Sequence, residues 1–292
     1  MQSVMLNACP KFAKPLILAG LLALLVAMPA PAAENCPLCA MSASQGGDEP
    51  AATPDATADT GAASAILQRA EAAAKALDTL TARLRFATVQ GLLGDEQVRF
   101  GTLAYDAGVA AGHDADQPVR PPRFDIRLDR LLVDGKPRSI DKRYVFDGRW
   151  LAEIDHDEKV FTRRELVAEG EQARFMELGE GPFALPLNMD ADVVHQRFVV
   201  ESLDADAPTL RLTPRDGFDL DLDEVTLVYD RDTMLPASAT TLDDAQAGDV
   251  STLRLMDTQT GVALDGTAFD TTPPAGEGWR VQIVELDDTD PS

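Results

Sequence analysis

Histidine and cysteine are scarce, with three of each among 292 residues. His113, His156 and His195 stand singly, without the paired spacing of a Cys/His zinc site. Cys9 precedes the main apolar run, which leaves Cys36 and Cys39 in "CPLC". Such a pair can be redox-active or half a metal site, but a thioredoxin-like motif needs a strand before it and a helix after it. Here an Ala/Pro/Gly/Thr/Asp-rich stretch follows, so the pair reads as a local disulfide or as thiols of a tail. No Gly-x-Ser-x-Gly is present, and nothing ties the histidines to a nucleophile. "DGFDLDLDE" lacks the spacing and central glycine of a calcium loop; its acids alternate with leucines, as in a strand with one wet face. No pair of carboxylates stands out for glycoside chemistry. Bases are also in deficit, 26 Lys and Arg against 49 Asp and Glu, for a net charge of −23. That balance disfavours nucleic acid and anionic membrane surfaces, and "RR" at 163–164 is too short to reverse it. The expectation is a protein without catalytic residues, metal, cofactor or nucleic-acid partner.

Long apolar runs are missing too, with one exception. Lys11 and Lys14 precede 13 apolar residues, Leu16 to Met28, and then "APAPAA", the pattern of a secretory signal peptide cleaved after Ala32 or Ala33. Ala33-Glu34-Asn35 before Cys36 are not the small uncharged residues of a lipid-attachment box. Cleavage removes two lysines and takes the charge to about −25, giving an exported, periplasmic protein. Residues 33–63 carry CPLC in an acidic linker expected to be disordered. Residues 64–287 suit one domain, and 288–292 form a tail.

The domain opens with "SAILQRAEAAAKALDTLTARL". Ser64 is placed to cap a helix, and Ile66, Leu67, Ala70, Ala73, Ala74, Leu77 and Leu80 recur at helical spacing. Then the period becomes two. In "RFDIRLD", Phe124, Ile126 and Leu128 alternate with Asp125, Arg127 and Asp129, predicting an apolar face and a solvent face. "YVFDGRWLAEI" predicts a hairpin with a type I′ turn at Asp147-Gly148, placing Val145 across from Trp150 on the face of Ala152 and Ile154. Further alternation at Leu220–Leu222, Val225–Tyr229, Leu253–Leu255 and Trp279–Ile283, with no βαβ pattern or repeat, predicts a mainly β (α+β) fold. Its core is a single strongly curved antiparallel sheet, an incomplete barrel with an N-terminal helix and more helix around 164–190.

One stretch breaks the acidic pattern. "GEGPFALPLNM" at 179–189 carries a single Glu180, two glycines, two prolines and the apolar Phe183, Leu185, Leu187 and Met189. It can be neither one helix nor a central strand.

In order and spacing, several motifs resemble the periplasmic LolA-type lipoprotein carriers (the LolA/LolB-type fold), especially planctomycete-type members, over residues 64–286. They are the opening helix with Leu84 and Phe86, "GTLAY" then "PPRFDIRL", "YVFDGRWLAEID", "LVYDRDTMLPASATTLDDAQAGDVSTLRL" and "FDTTPPAGEGWRV". The resemblance implies an incomplete barrel with a helical lid around an apolar cavity for acyl chains, without catalysis or cofactor. It implies transfer of lipoproteins toward the outer membrane, with an inner-membrane lipoprotein transporter and an outer-membrane acceptor as partners, by a monomer. Relatives on this fold bind other lipids or act in envelope-stress sensing, so a non-transporting sensor or scaffold is the alternative. Phe86, Phe124, Ile126, Leu128, Val145 and Trp150 are then candidates for the cavity, and Phe183, Leu185, Leu187 and Met189 for the lid. For each, ordinary core packing is the competing reading. The family strand carries Phe-Arg-Trp, its arginine latching the lid; here Phe124-Asp125-Ile126 stands there, with Arg127 displaced.

Overall fold

The computed structural model describes residues 60–108, 120–168, 187, 189–204, 207–218, 220, 222–244 and 248–286. The signal peptide, residues 33–59 of the CPLC linker, the tail, and Phe183 and Leu185 lie outside them, while residues 60–63, expected in the linker, are helical.

Helix α1 (Thr60–Lys75) is alanine-rich, with Ala63, Leu67 and Ala70 buried along one face and a Lys75–Glu71 pair at 2.6 Å on the other. It starts earlier than the sequence suggested, so Ser64 lies within it rather than capping it. It also ends earlier, and Leu80 belongs to the first strand. The strands are β1 (Thr79–Gln90), β2 (Asp95–Asp106), β3 (Arg123–Val133), β4 (Lys136–Phe146), β5 (Trp150–Asp155) and β6 (Val160–Glu165). The short helix α2 (Ala191–Arg197) follows, its N-cap Asp190 accepting from the backbone N–H groups of Asp192 and Val193 at 2.9 and 3.1 Å. Then come β7 (Phe198–Asp204), β8 (Thr209–Pro214), β9 (Glu224–Tyr229), β10 (Pro236–Asp244), β11 (Asp249–Thr260), a 3₁₀ turn (Gly266–Phe269) and β12 (Arg280–Val284). Leu220 and Leu222 precede β9 outside any strand, contrary to the alternation; Leu222 is nevertheless buried.

All twelve strands form one open, curved sheet in the order β12-β6-β5-β4-β3-β2-β1-β11-β10-β9-β8-β7. Every pairing is antiparallel except the last, where β12 joins β6 in parallel. Bulges interrupt the β2/β3 and β3/β4 ladders at Phe100/Gly101 and Leu128/Arg130, sites where a sheet bends. The two-residue hairpin is the other Asp-Gly pair: Asp134 and Gly135 have φ of 51° and 72°, as a type I′ turn requires. At Asp147-Gly148 only the glycine has positive φ, so the expected I′ turn is not formed there. Instead the Asp147 carboxylate accepts from the N–H groups of Arg149 and Trp150 at 2.9 and 2.8 Å, closing a longer loop.

The inner face of the sheet carries the core. One part gathers Leu80, Leu84, Leu103, Phe124, Ile126, Leu128 and Phe146; the other puts α1 and α2 over Phe198, Val200, Leu210, Leu212, Val225 and Leu227. The outer face holds a smaller cluster of Val145, Ala152, Ile154 and Phe161, against which Trp279 packs. That cluster explains a departure from expectation. Arg127 and Asp129 are exposed as predicted, but Asp125 is only 4% exposed. The 3₁₀ turn lies against β3 and β4, so the outer face is not wet there. Arg143 Nε and Arg127 Nε donate to the Asp125 carboxylate at 2.7 and 2.9 Å, and Arg143 also donates to the Ala268 carbonyl at 2.6 Å.

A second buried carboxylate, Asp106, accepts from Arg120, Arg123 and the Gly108 N–H. Burial pushes its pKa up, but the Arg123 hydrogen bond, the Gly108 N–H and the charge of Arg120 outweigh it, so the value lies below the ordinary 3.8. Asp155, beside Lys142, is lowered in the same way against burial. A depressed folded-state value gives stability that is complete above the unfolded pKa and lost as pH falls through the folded one. Urea unfolding should therefore show a decline setting in below about pH 4. Asp106→Asn should be less stable at pH 7 and lose less on acidification; an unchanged slope would remove Asp106 from the account.

Candidate functional site

Cross-strand register sorts the inner face into rows. Leu80, Tyr105, Phe124, Phe146 and Leu151 make the first, running from β1 to β5. Ala82, Leu103, Ile126 and Tyr144 make the second, and Leu84, Gly101, Leu128 and Lys142 the third. Phe86, Arg99, Leu131 and Arg138 form the fourth, and Thr88, Gln97, Val133 and Lys136 the last. Phe124 and Phe146 meet with ring centroids 5.8 Å apart. The surface thus grades from fully apolar at one end to polar at the other.

Of the sequence candidates, Phe86, Phe124, Ile126 and Leu128 come together on this face. Phe124, Ile126 and Leu128 are buried, while Phe86 is half-buried. Val145 and Trp150 do not join them. Val145 pairs with Asp125 and Ala152, which puts it on the outer face, fully buried in the small cluster there. Trp150 shares that face, half-buried, with the Arg163 guanidinium 4.2 Å from its ring centroid. Leu187 is buried against the Phe124 cluster, as is Val167. Met189 is buried in the α1/α2 half, where its sulfur accepts from the Tyr229 hydroxyl at 3.4 Å.

Arg99 and Tyr144 on this face were not singled out from the sequence. The strand alternation through "EQVRFGTLAY" places Arg99 in phase with Leu103 and Tyr105. Burial lowers the pKa of Arg99, Tyr144 opposes that, and Arg138 adds to it. Burial and then Glu153 push the Tyr144 hydroxyl up, so it stays neutral. Among the described residues no cluster of His, Cys, Asp and Glu could hold a metal ion. A hollow of about 510 Å³ is lined by Arg83, Phe100, Thr102 and Arg130, in outer-face register, and also by Leu84, Gly101 and Arg138 of the rows above.

These features define a class: an open, mainly β sheet with a continuous apolar inner face, one half of which packs against α1 and α2. No protein-family model and no curated protein matches the chain. Among solved structures it is similar to a LolA superfamily protein from Nitrosomonas europaea, at TM-score 0.33 and 14% identity over 71% of this chain and 97% of that one. It is similar to MucB of Pseudomonas aeruginosa in its complex with MucA, at TM-score 0.38 and 17% identity over 71% of this chain and 60% of that one. A third is the Mycobacterium tuberculosis lipoprotein LppX, at TM-score 0.36 and 10% identity over 70% and 100% of the two chains. These likenesses are architectural, and none says what this chain binds.

Proposed function

We propose that the protein is a periplasmic carrier that holds acyl chains of a lipid or lipoprotein on the inner face, moving them toward the outer membrane without catalysis. The observation that carries this is the continuous apolar inner face. Helices α1 and α2 pack over the β7–β9 half; on the β1–β5 half Leu80, Leu84, Phe124, Ile126, Leu128 and Phe146 make a buried apolar floor, at whose margin Phe86, Val133, Tyr144 and Leu151 are only partly buried. An occupant that completes the burial of these marginal side chains gains about 25 cal/mol per Å² of apolar area it covers.

The test is native mass spectrometry with lipid extraction of protein purified from the periplasm, joined to displacement of a fluorescent fatty acid. Bound lipid is expected, and Phe86→Asp should weaken displacement at least about tenfold because it puts a charge against the acyl chains. Circular dichroism should be unchanged, since Phe86 is only half-buried and Asp there stands beside Arg99. Protein without lipid, and unchanged affinity in the variant, would defeat the carrier reading.

A second reading, a non-transporting envelope sensor or scaffold, is favoured by β12. Arg280 N–H bonds to the Lys159 carbonyl at 2.9 Å, which turns the backbone groups of Val281 and Ile283 away from β6. Their side chains are 49% and 52% exposed, so an extended peptide could add at this edge. Periplasmic protein carrying a bound polypeptide and no lipid would select this reading.

A further inference from the structure

The polar end of the inner face has an unusual charge distribution. Its last two rows run Ser202, Leu210, Leu227, Ala239, Leu253, Phe86, Arg99, Leu131, Arg138 and Val200, Leu212, Val225, Thr241, Ser251, Thr88, Gln97, Val133, Lys136 across the sheet. Neither row contains an aspartate or glutamate, in a chain with 49 of them. Together the rows place three cations beside Phe86, Leu131 and Val133.

Three other cations of the β2–β5 strands do have a carboxylate partner. Lys142, one row further in, meets Asp155 at 2.7 Å; Arg143 meets Asp125 at 2.7 Å; Arg123 meets Asp106 at 2.5 Å. Arg99, Arg138 and Lys136 have no carboxylate partner among the described residues. The side-chain bond of Arg99 is to the neutral Gln97 amide oxygen at 2.8 Å. Arg99 is half-buried, so its charge is held where water cannot fully solvate it. Arg138 is two strands away in the same row, roughly 10 Å at the backbone, which suits one polyoxygen anion between them.

We propose that Arg99 and Arg138, with Lys136 at the rim, bind the anionic headgroup of the amphiphile whose acyl chains lie on the inner-face rows. The chemistry recognised is a phosphate or carboxylate attached to an alkyl chain. This inference rests on the carrier reading and adds ligand selectivity to it. The depressed Arg99 pKa agrees, since burial and the Arg138 charge both disfavour an uncompensated cation there.

The test is competition against a fluorescent lipid probe by four compounds below their micelle thresholds. They are hexadecanoic acid, lysophosphatidylglycerol, neutral monohexadecanoylglycerol, and inorganic phosphate alone. The full-length mature protein should prefer both anionic lipids to the neutral one by about tenfold, and more at low salt. Inorganic phosphate should not compete. In Arg99→Gln/Arg138→Gln, checked for folding by circular dichroism, the anionic-to-neutral ratio should fall to near one. Equal binding of anionic and neutral lipids by the unaltered protein would overturn the headgroup site and leave the carrier reading standing. So would a ratio that survives the double substitution. Competition by phosphate alone would overturn the amphiphile, since the anion site would then act without a chain. Binding of none of the lipids would overturn both.

Discussion

Replacing Asp125 by alanine should cost about 3–5 kcal/mol of stability, although its strand alternation marks it as a surface residue. The substitution leaves the Arg143 guanidinium, whose side chain is 19% exposed, without its carboxylate and with only the Ala268 carbonyl to accept from it. Arg127, at 58% exposure, can turn to water and contributes little to the loss. Asp129→Ala, two residues on along the same strand and exposed, should change stability by no more than about 0.5 kcal/mol. Urea unfolding followed by circular dichroism measures both. Matching small effects would show that the outer face over β3 and β4 is solvated after all.

Gly101→Ala is the second large effect, expected at about 3 kcal/mol or more. A Cβ built there would sit 1.8 Å from the Arg127 carbonyl oxygen and 2.8 Å from its carbon. These are backbone atoms of the neighbouring strand at the bulge, so no side chain can swing aside; the ladder itself must shift. Gly266→Ala meets nothing within 4 Å and serves as the control, with a change near zero. A Gly101 variant as stable as that control would mean that the β2/β3 bulge is free to move.

The sheet was legible because period-two alternation is strong wherever one face is buried, as in Phe124, Ile126 and Leu128. Alternation says which residues share a face; it cannot say whether the other face is covered later. Asp125, Val145 and Trp150 were misplaced for that reason: the segment that contacts their strands comes more than 100 residues further on. The turn error has a local cause. Asp-Gly suits a type I′ turn, but at Asp147 the carboxylate folds back onto two backbone N–H groups and also accepts from the Thr271 hydroxyl at 2.6 Å. One arginine in an alternating strand looks like surface, as Arg99 does; only the register across β2, β3 and β4 aligns it with Leu131 and Arg138.

The position of β1 has a consequence for how the chain assembles. Its neighbours are β2, next in sequence, and β11, which pairs Phe86 with Leu253 across more than 160 residues. The strands from β2 to β6 zip up through consecutive hairpins, as do those from β7 to β11. The two wings therefore meet along a single seam, and nothing local draws that seam together. Closing so long a loop costs entropy before any contact repays it, and ladders of this kind form slowly. Until β11 arrives, β1 presents an open edge bearing Leu80, Leu84 and Phe86, and the nascent protein is most vulnerable to self-association during that interval.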